Sequence, residues 1–306
     1  MKRKKKEKAS AILAADLHLR ADTPLCRTDD YLSAQFRKLD FILGLCEENN
    51  CPLLVAGDVG DKSQWPNWLL EKTINVISKN NVEIIVIPGQ HDLPEHRLKY
   101  VEKSGCGVLN AGGLISIANE KRTVNGEFDL YPFPYGVQVQ KPEDDNCSYP
   151  KIAMVHQMVI EKKPLWPGQQ APKGNQLLKK FPQYELIVTG DNHNPFVAEY
   201  EGRLLVNAGS MMRMTAAQID YLPRVYKWFS NTNKIEFVHL PVKKKVITRT
   251  HLEDKKQRDI RMDKFVTRIK DDFEIELSFE KNLEEYFKVN RTKKAVQNKI
   301  WEAVEC

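Results

Sequence analysis

An α/β fold built around a parallel sheet is what this sequence predicts, and three observations predict it. Short apolar runs alternate with longer amphipathic stretches through the first half of the chain. Those runs stop at turns that carry carboxylate, amide or imidazole side chains, several of them beside glycine. With 306 residues, 42% of them hydrophobic and 29% charged, the chain holds enough apolar material for one large domain and a smaller appendage.

Taken in order, SAILAADLHL (10–19) reads as a buried strand. YLSAQFRKLDFILGLCEE (31–48) has the periodicity of an amphipathic helix, with Asp29 and Asp30 placed to cap it. PLLVAGD (52–58) is a strand, NWLLEKTINVISKN (67–80) a helix and VEIIVIPG (82–89) a strand again. The rhythm is βαβαβ, which demands crossover helices and parallel strands. Short strands follow at GVLN, LISIA and FDLYPF within 107–133, then at 151–157 and 185–191, the last two separated by a loop containing Pro164, Pro167 and Pro172. FVAEYEGRLLVNAGS (196–210) reads as a hairpin turning at Glu201–Gly202. Regular alternation ends near Pro241; FEIELSF (273–279) alternates like a strand, and 280–304 reads as one or two amphipathic helices. Three segments result: a basic tail over 1–9, a main domain over 10–242 and a C-terminal region over 243–306.

Charge is uneven. The net charge is +6, yet residues 2–8 alone carry +5 and residues 243–270 carry +7, leaving the remainder at −6. Concentrated positive charge of this kind suits a phosphate backbone, and equally a solvated surface. No apolar run approaches the roughly 20 residues of a membrane span, and the basic start is followed only by AILAA before Asp16 interrupts, a poor signal peptide. The cysteines (Cys26, Cys46, Cys51, Cys106, Cys147, Cys306) form no CxxC pair. They fit small core residues in a reducing, cytoplasmic compartment, with no membrane partner.

The chemistry lies at the strand ends. In a parallel α/β sheet, functional groups gather where strands finish at their carboxyl side. The first strand delivers Asp16 and His18, spaced i, i+2 and so projecting to one side of an extended backbone. The second delivers Asp58 and, three residues on, Asp61; the third Gln90, His91 and Asp92. Two later strands end in His156 and in Asp191 and His193. A lone His or a Gly-Asp pair is an ordinary turn, but five strand ends carrying metal-competent side chains in one chain point to a metal site.

The motifs ADLH, GDVGD, GQHD, VHQ and GDNH, in this order, resemble the calcineurin-like metallophosphoesterases, over about residues 10–240. NAGSMMR (207–213) is similar to a stretch of the SbcD-type branch, nuclease subunits of DNA-repair exonucleases. The resemblance implies a four-layer fold of two mixed sheets flanked by helices. It also implies two adjacent divalent ions: Asp16, His18 and His193 at the first, Asp58 bridging, and Gln90, His156 and Asp191 at the second. His91 would face the scissile phosphate, oriented by Asp61, and Arg27 and Arg213 would grip flanking phosphates. Paired divalent ions clamp a phosphate and acidify a water for in-line attack, while His91 could protonate the departing oxygen.

Two residues depart from the family pattern: Gln90 stands for Asn, and Asp191 for His. Both keep a donor atom, and the added oxygens favour Mn2+, with Mg2+ as the other hard ion, over Zn2+. The resemblance thus implies a Mn2+-dependent nuclease acting on DNA in repair or recombination, in bacterial or phage-infected cytoplasm. Its implied partners are an SbcC-like ATPase and a second copy of the chain. Two other readings stay open: a phosphodiesterase or phosphatase for small substrates, and a scaffold that kept the fold and lost turnover.

Overall fold

The computed structural model describes residues 7–142, 148–272 and 279–304. The chain divides into two compact units, one ending at Thr248 and the other beginning at Arg249. In chain order the first unit contains β1 (Ala11–Ala14), α1 (Tyr31–Asn49), β2 (Leu53–Ala56), α2 (Asn67–Ile77), β3 (Ile84–Ile87), α3 (Gly105–Ala111), β4 (Ser116–Ile117), β5 (Arg122–Val124), β6 (Phe128–Phe133) and β7 (Lys151–His156). It continues with α4 (Gly174–Lys180), β8 (Leu186–Gly190), β9 (Phe196–Tyr200), β10 (Arg203–Asn207), β11 (Arg224–Phe229) and β12 (Lys234–His239).

The strands form two six-stranded mixed sheets. In the first the order is β12-β11-β1-β2-β3-β4, with β1 to β4 parallel and β11 antiparallel to both its neighbours. In the second it is β5-β6-β7-β8-β10-β9, with β6, β7, β8 and β10 parallel and an antiparallel strand at each edge. Alternate residues of β1 part company: Ile12 and Ala14 join α1 and α2 in one core, while Ala11 and Leu13 join Ile152, Met154, Leu186 and Val188 of the second sheet. The far face of that second sheet packs on Leu177 and Leu178 of α4. The layers therefore run helix, sheet, sheet, helix, the sandwich that the family resemblance implies. Burial on both faces explains why β1, β2 and β3 are uninterrupted apolar runs.

The main departures from the sequence reading are local. GVLN is helical, not extended, because the Ser104 hydroxyl accepts from the Gly107 N–H and starts α3. Strands β5, β11 and β12 and helix α4 are not apparent from the sequence pattern. Asp30 caps α1 by accepting from the Ser33 N–H, as its position suggests. Cys26, Cys46, Cys51 and Cys106 are buried free thiols.

The second unit contains α5 (Thr250–Asp272), α6 (Phe279–Val289) and α7 (Lys294–Val304). Phe287 is buried against Trp301, joining α6 to α7 with ring centroids 6.2 Å apart. Of residues 273–279, expected to be a strand, 273–278 lie outside the described residues, as do Cys147 and Cys306, while Phe279 opens α6. Among the described residues no helix is long and apolar enough to cross a membrane.

Candidate metal centre

The strand ends of both sheets meet at one place. Asp16 and His18 follow β1, Asp58 follows β2, Gln90 and His91 follow β3, His156 ends β7, and Asp191 and His193 follow β8. Donor atoms of Asp16, His18 and His193 lie within 4.8 Å of one another, and so do those of Asp16, Asp58 and His156, and of His18, Asp58 and His91. Gln90 ties in the remainder: its Nε2 donates to Asp191 Oδ1 at 2.8 Å, and its Oε1 lies 2.7 Å from His156 Nε2. All seven residues that the resemblance implies as ligands are thus gathered into one cluster.

How Asp16 and His18 reach it differs from expectation. Neither sits on extended backbone: Asp16 has φ 51° and His18 φ 44°, and Asp58 (52°) and Asp191 (77°) share this left-handed region. Such conformations cost non-glycine residues roughly 1–2 kcal/mol each and collect at functional sites. The turns are held by main-chain bonds, Asp16 N–H to Gly57 O and His18 N–H to Asp58 O, both 3.0 Å. Glycine is required close by. Gly57 lies at φ 88°, and a Cβ there would strike the His156 ring; a Cβ on Gly89 would strike the Asp58 carboxylate.

The donor set has the electrostatics of a cation site. Asp16 Oδ2, Asp58 Oδ2 and His18 Nδ1 are buried with no hydrogen-bond partner, a costly arrangement unless a cation is bound there. His18 Nε2 faces His193 Nε2 at 3.1 Å. The carbonyl of Ala56 can only accept, so His156 Nδ1, 2.7 Å away, carries the hydrogen. Its Nε2 is then left facing the acceptors Gln90 Oε1 and Asp58 Oδ2, the latter at 3.5 Å.

Protonation follows from this crowding. Burial pushes the Asp16 carboxyl up to about 8, with Asp58 and Asp191 adding to the rise against His156. Burial holds His18 down at about 3, despite Asp58 nearby. His156 goes the other way: burial alone would lower it, but Asp58 and Asp16 raise it to about 10. Protons are favoured where the oxygens of the cluster are crowded, a charge balance that a divalent cation would supply when bound.

His91 is the exposed member. Its main-chain N–H donates to Asp58 Oδ1 at 2.9 Å, and its Nδ1 lies 2.7 Å from the Asp61 main-chain oxygen. Nδ1 is therefore the hydrogen-bearing nitrogen, which leaves Nε2 as the atom available to a substrate. The orienting contact from Asp61 runs through its carbonyl. Its carboxylate instead accepts from Arg20 at 3.4 Å and lies 3.8 Å from His18 Nδ1.

Arg27 and Arg213 are corrections. Arg27 is clasped on both oxygens of Asp29 at 2.8 Å and donates to the Arg213 carbonyl. Arg213 is 6% exposed and donates to the carbonyls of Ile219 and Lys243. Both guanidinium groups are tied by hydrogen bonds within the fold, and among the described residues none of these bonds reaches the metal cluster, so the phosphate grip beside the metals that the resemblance implies is not what they build.

Two residues matter more than the sequence suggested. The buried carboxylate of Asp92 accepts from the N–H groups of Val59, Gly60 and Gly89, clamping the loops after β2 and β3 together. Burial, and then Asp58, raise its pKa. Asn207 donates to the carbonyls of Asn192 and Asn194, fixing the turn that carries His193. Its position in NAGSMMR was the available signal.

Residues 10–195, more than half the chain, match the family described as calcineurin-like phosphoesterase. Among curated proteins none matches the chain. Similar solved structures include one of a novel archaeal phosphodiesterase, 12% identical over 75% of this chain and 99% of that one, with a TM-score of 0.41. Another is TT1561 of Thermus thermophilus, 10% identical over 76% of this chain and 100% of that one, with a TM-score of 0.46.

Proposed function

The chain belongs to the calcineurin-like phosphoesterase family, and from that premise we propose that it is a two-metal phosphodiesterase acting on DNA, a nuclease subunit of SbcD type. Membership makes it a metal-dependent phosphoester hydrolase; the substrate, the number of ions and the complex are our reading. The observation that carries it is the convergence of seven donors from five strand ends beside one exposed imidazole.

The donor set fits two divalent ions. Asp16, His18 and His193 would hold one, Gln90, His156 and Asp191 the other, and Asp58, within reach of both groups, would be shared. Oxygen donors on Asp16, Asp58, Gln90 and Asp191 favour Mn2+ over Zn2+. Such ions supply a nucleophilic water and neutralise charge on the phosphate. His91 holds its Nδ1 hydrogen on the Asp61 carbonyl, and as the doubly protonated imidazolium it would present Nε2–H to the leaving oxygen, giving up that proton and returning to the neutral ring. Asp61 and Asp58 fix the ring and the main chain of that residue.

DNA is supported by the +7 charge of residues 243–270 and by the SbcD-like NAGSMMR stretch. An SbcC-like ATPase, a second copy of the chain and the cytoplasm of a bacterium or phage-infected cell belong to the same proposal, on kinship. One observation favours a second reading, a small-substrate phosphodiesterase: the Arg27 and Arg213 guanidinium groups are drawn into packing.

Parallel Mn2+ assays on labelled DNA and on bis-p-nitrophenyl phosphate, each with wild type and His91→Ala, test it. DNA cleavage that disappears in the variant supports the nuclease. Cleavage of the small diester alone moves the assignment to the second reading. Silence on both substrates with metal bound leaves a scaffold.

A further inference from the structure

The two arginines withdrawn from the metal centre line a cavity of about 200 Å³ on the first unit, and none of its lining residues belongs to the metal cluster. Its walls carry Arg27, Lys38 and Arg213, with Arg37 and Lys243 exposed at the rim. Among the described residues, Asp29 is the one carboxylate lining it, and both of its oxygens are already taken by Arg27. Lys38 and Arg213 are 4% and 6% exposed, and among the described residues neither forms an ion pair, Asp29 acting on both only at longer range. Lys38 donates to the Met211 carbonyl at 2.9 Å. Arg213 leaves its Nε buried with no acceptor at all.

Two buried cations beside one neutralised pair are an unbalanced arrangement. A buried charge is retained where it is paired and hydrogen-bonded, and main-chain carbonyls give only half of that. The missing half is an anion rich in acceptors. The cavity has room for a tetrahedral oxyanion, the shape that matches a guanidinium edge and an ammonium together. We propose that this cavity binds a phosphate group beside Lys38 and Arg213, with Arg37 and Lys243 at its mouth. The group is inorganic phosphate or the terminal phosphoryl of a nucleotide chain. The site stands whether or not the chain is a nuclease.

Its position gives it a consequence. Lys38 and Arg27 both hold main-chain oxygens of the segment 211–213, and the Met211 N–H donates to the Asp16 carbonyl. One loop thus separates the phosphate from the first metal-ligand turn.

The test is thermal denaturation of the full chain, as purified and after EDTA, in chloride and in phosphate at equal ionic strength. A saturating ligand should raise Tm by about 5 °C. Lys38→Met should raise Tm in chloride, where it removes an unbalanced charge, yet lose at least half of the phosphate-dependent rise. Arg37→Gln with Lys243→Gln, both on the exposed rim, should weaken the rise without disturbing the fold. A larger effect from 5′-phosphorylated dithymidine than from inorganic phosphate assigns the site to a nucleotide terminus; an effect of phosphate alone assigns it to the free ion. No rise with either probe overturns the proposal, and so does a full rise in both variants, which would place the anion among the histidines.

Discussion

Lys38→Met should stabilise the chain at neutral pH and destabilise it at high pH. Burial, reinforced by Arg27 and Arg213 and opposed only by Asp29, lowers the Lys38 ammonium from 10.5 to about 7. That gap corresponds to about 5 kcal/mol. Below pH 7 the folded state carries the charge and bears the whole cost. Between pH 7 and 10.5 the folded lysine has lost its proton while the unfolded one keeps it, so stability rises with pH. At pH 6.5 the charge therefore costs about 4–5 kcal/mol, and at pH 10 about 1 kcal/mol. Methionine removes this cost but forfeits the 2.9 Å bond to the Met211 carbonyl, worth about 1–3 kcal/mol. The variant should exceed wild type by about 2–4 kcal/mol at pH 6.5 and fall to parity or below by pH 10. Urea denaturation of both chains at pH 6.5, 8 and 10, in chloride buffers free of phosphate, reads the difference directly. A variant less stable by the same amount at every pH would show that Lys38 is a simple hydrogen-bond donor and that the buried-charge reasoning fails.

Three further outcomes follow from the metal centre. Asp92→Ala leaves the buried N–H groups of Val59, Gly60 and Gly89 without their acceptor and should cost about 3–5 kcal/mol in urea denaturation; a cost under about 1 kcal/mol would mean that the loops do not depend on this clamp. Asp191→His should shift activity from Mn2+ toward Zn2+, and an unchanged Mn2+/Zn2+ ratio would remove Asp191 from the ligands. Adding Mn2+ to the chelated chain should raise its stability by about 2.7 kcal/mol at a hundredfold excess over the dissociation constant, whereas a Tm indifferent to any divalent ion would contradict the donor assignment.

The parts of the fold that were legible share one physical property. β1, β2 and β3 are covered on both faces, so every residue is apolar and the runs stand out. β12 is mostly exposed, and Lys227 interrupts the apolar residues of β11, so β11 owes its identity to pairing with β1, more than 200 residues away in the chain, and β12 to pairing with β11. Helix α3 has seven residues, too few for a helical period to outweigh the apolar look of GVLN. At the site, the residue types were visible and the backbone was not. Left-handed φ is usually announced by glycine, yet here Asp16, His18, Asp58 and Asp191 adopt it. Asp92 was visible only as a neighbour of His91, because its partners come from the preceding strand's loop. Arg27 was misjudged because Asp29, two residues away and read as a cap, is its partner.

The strained turns and the buried clamp belong to the same solution. Four candidate ligand residues at positive φ would relax if their loops were free. They are not free: Asp92 joins the turns after β2 and β3, the Asp191 N–H donates to Asp16 Oδ1, and the Met211 N–H closes on the Asp16 carbonyl. The sheets beneath these turns are filled by wholly buried side chains such as Leu13, Leu54, Ile85 and Val188. Core packing therefore supplies the energy that holds unpaired carboxylate and imidazole lone pairs face to face, before any cation arrives. Because the donors are gathered by the fold, cation binding need not organise them, unlike in small domains where the metal drives folding. Chelation should then lower Tm while leaving the far-UV circular dichroism of the native state unchanged.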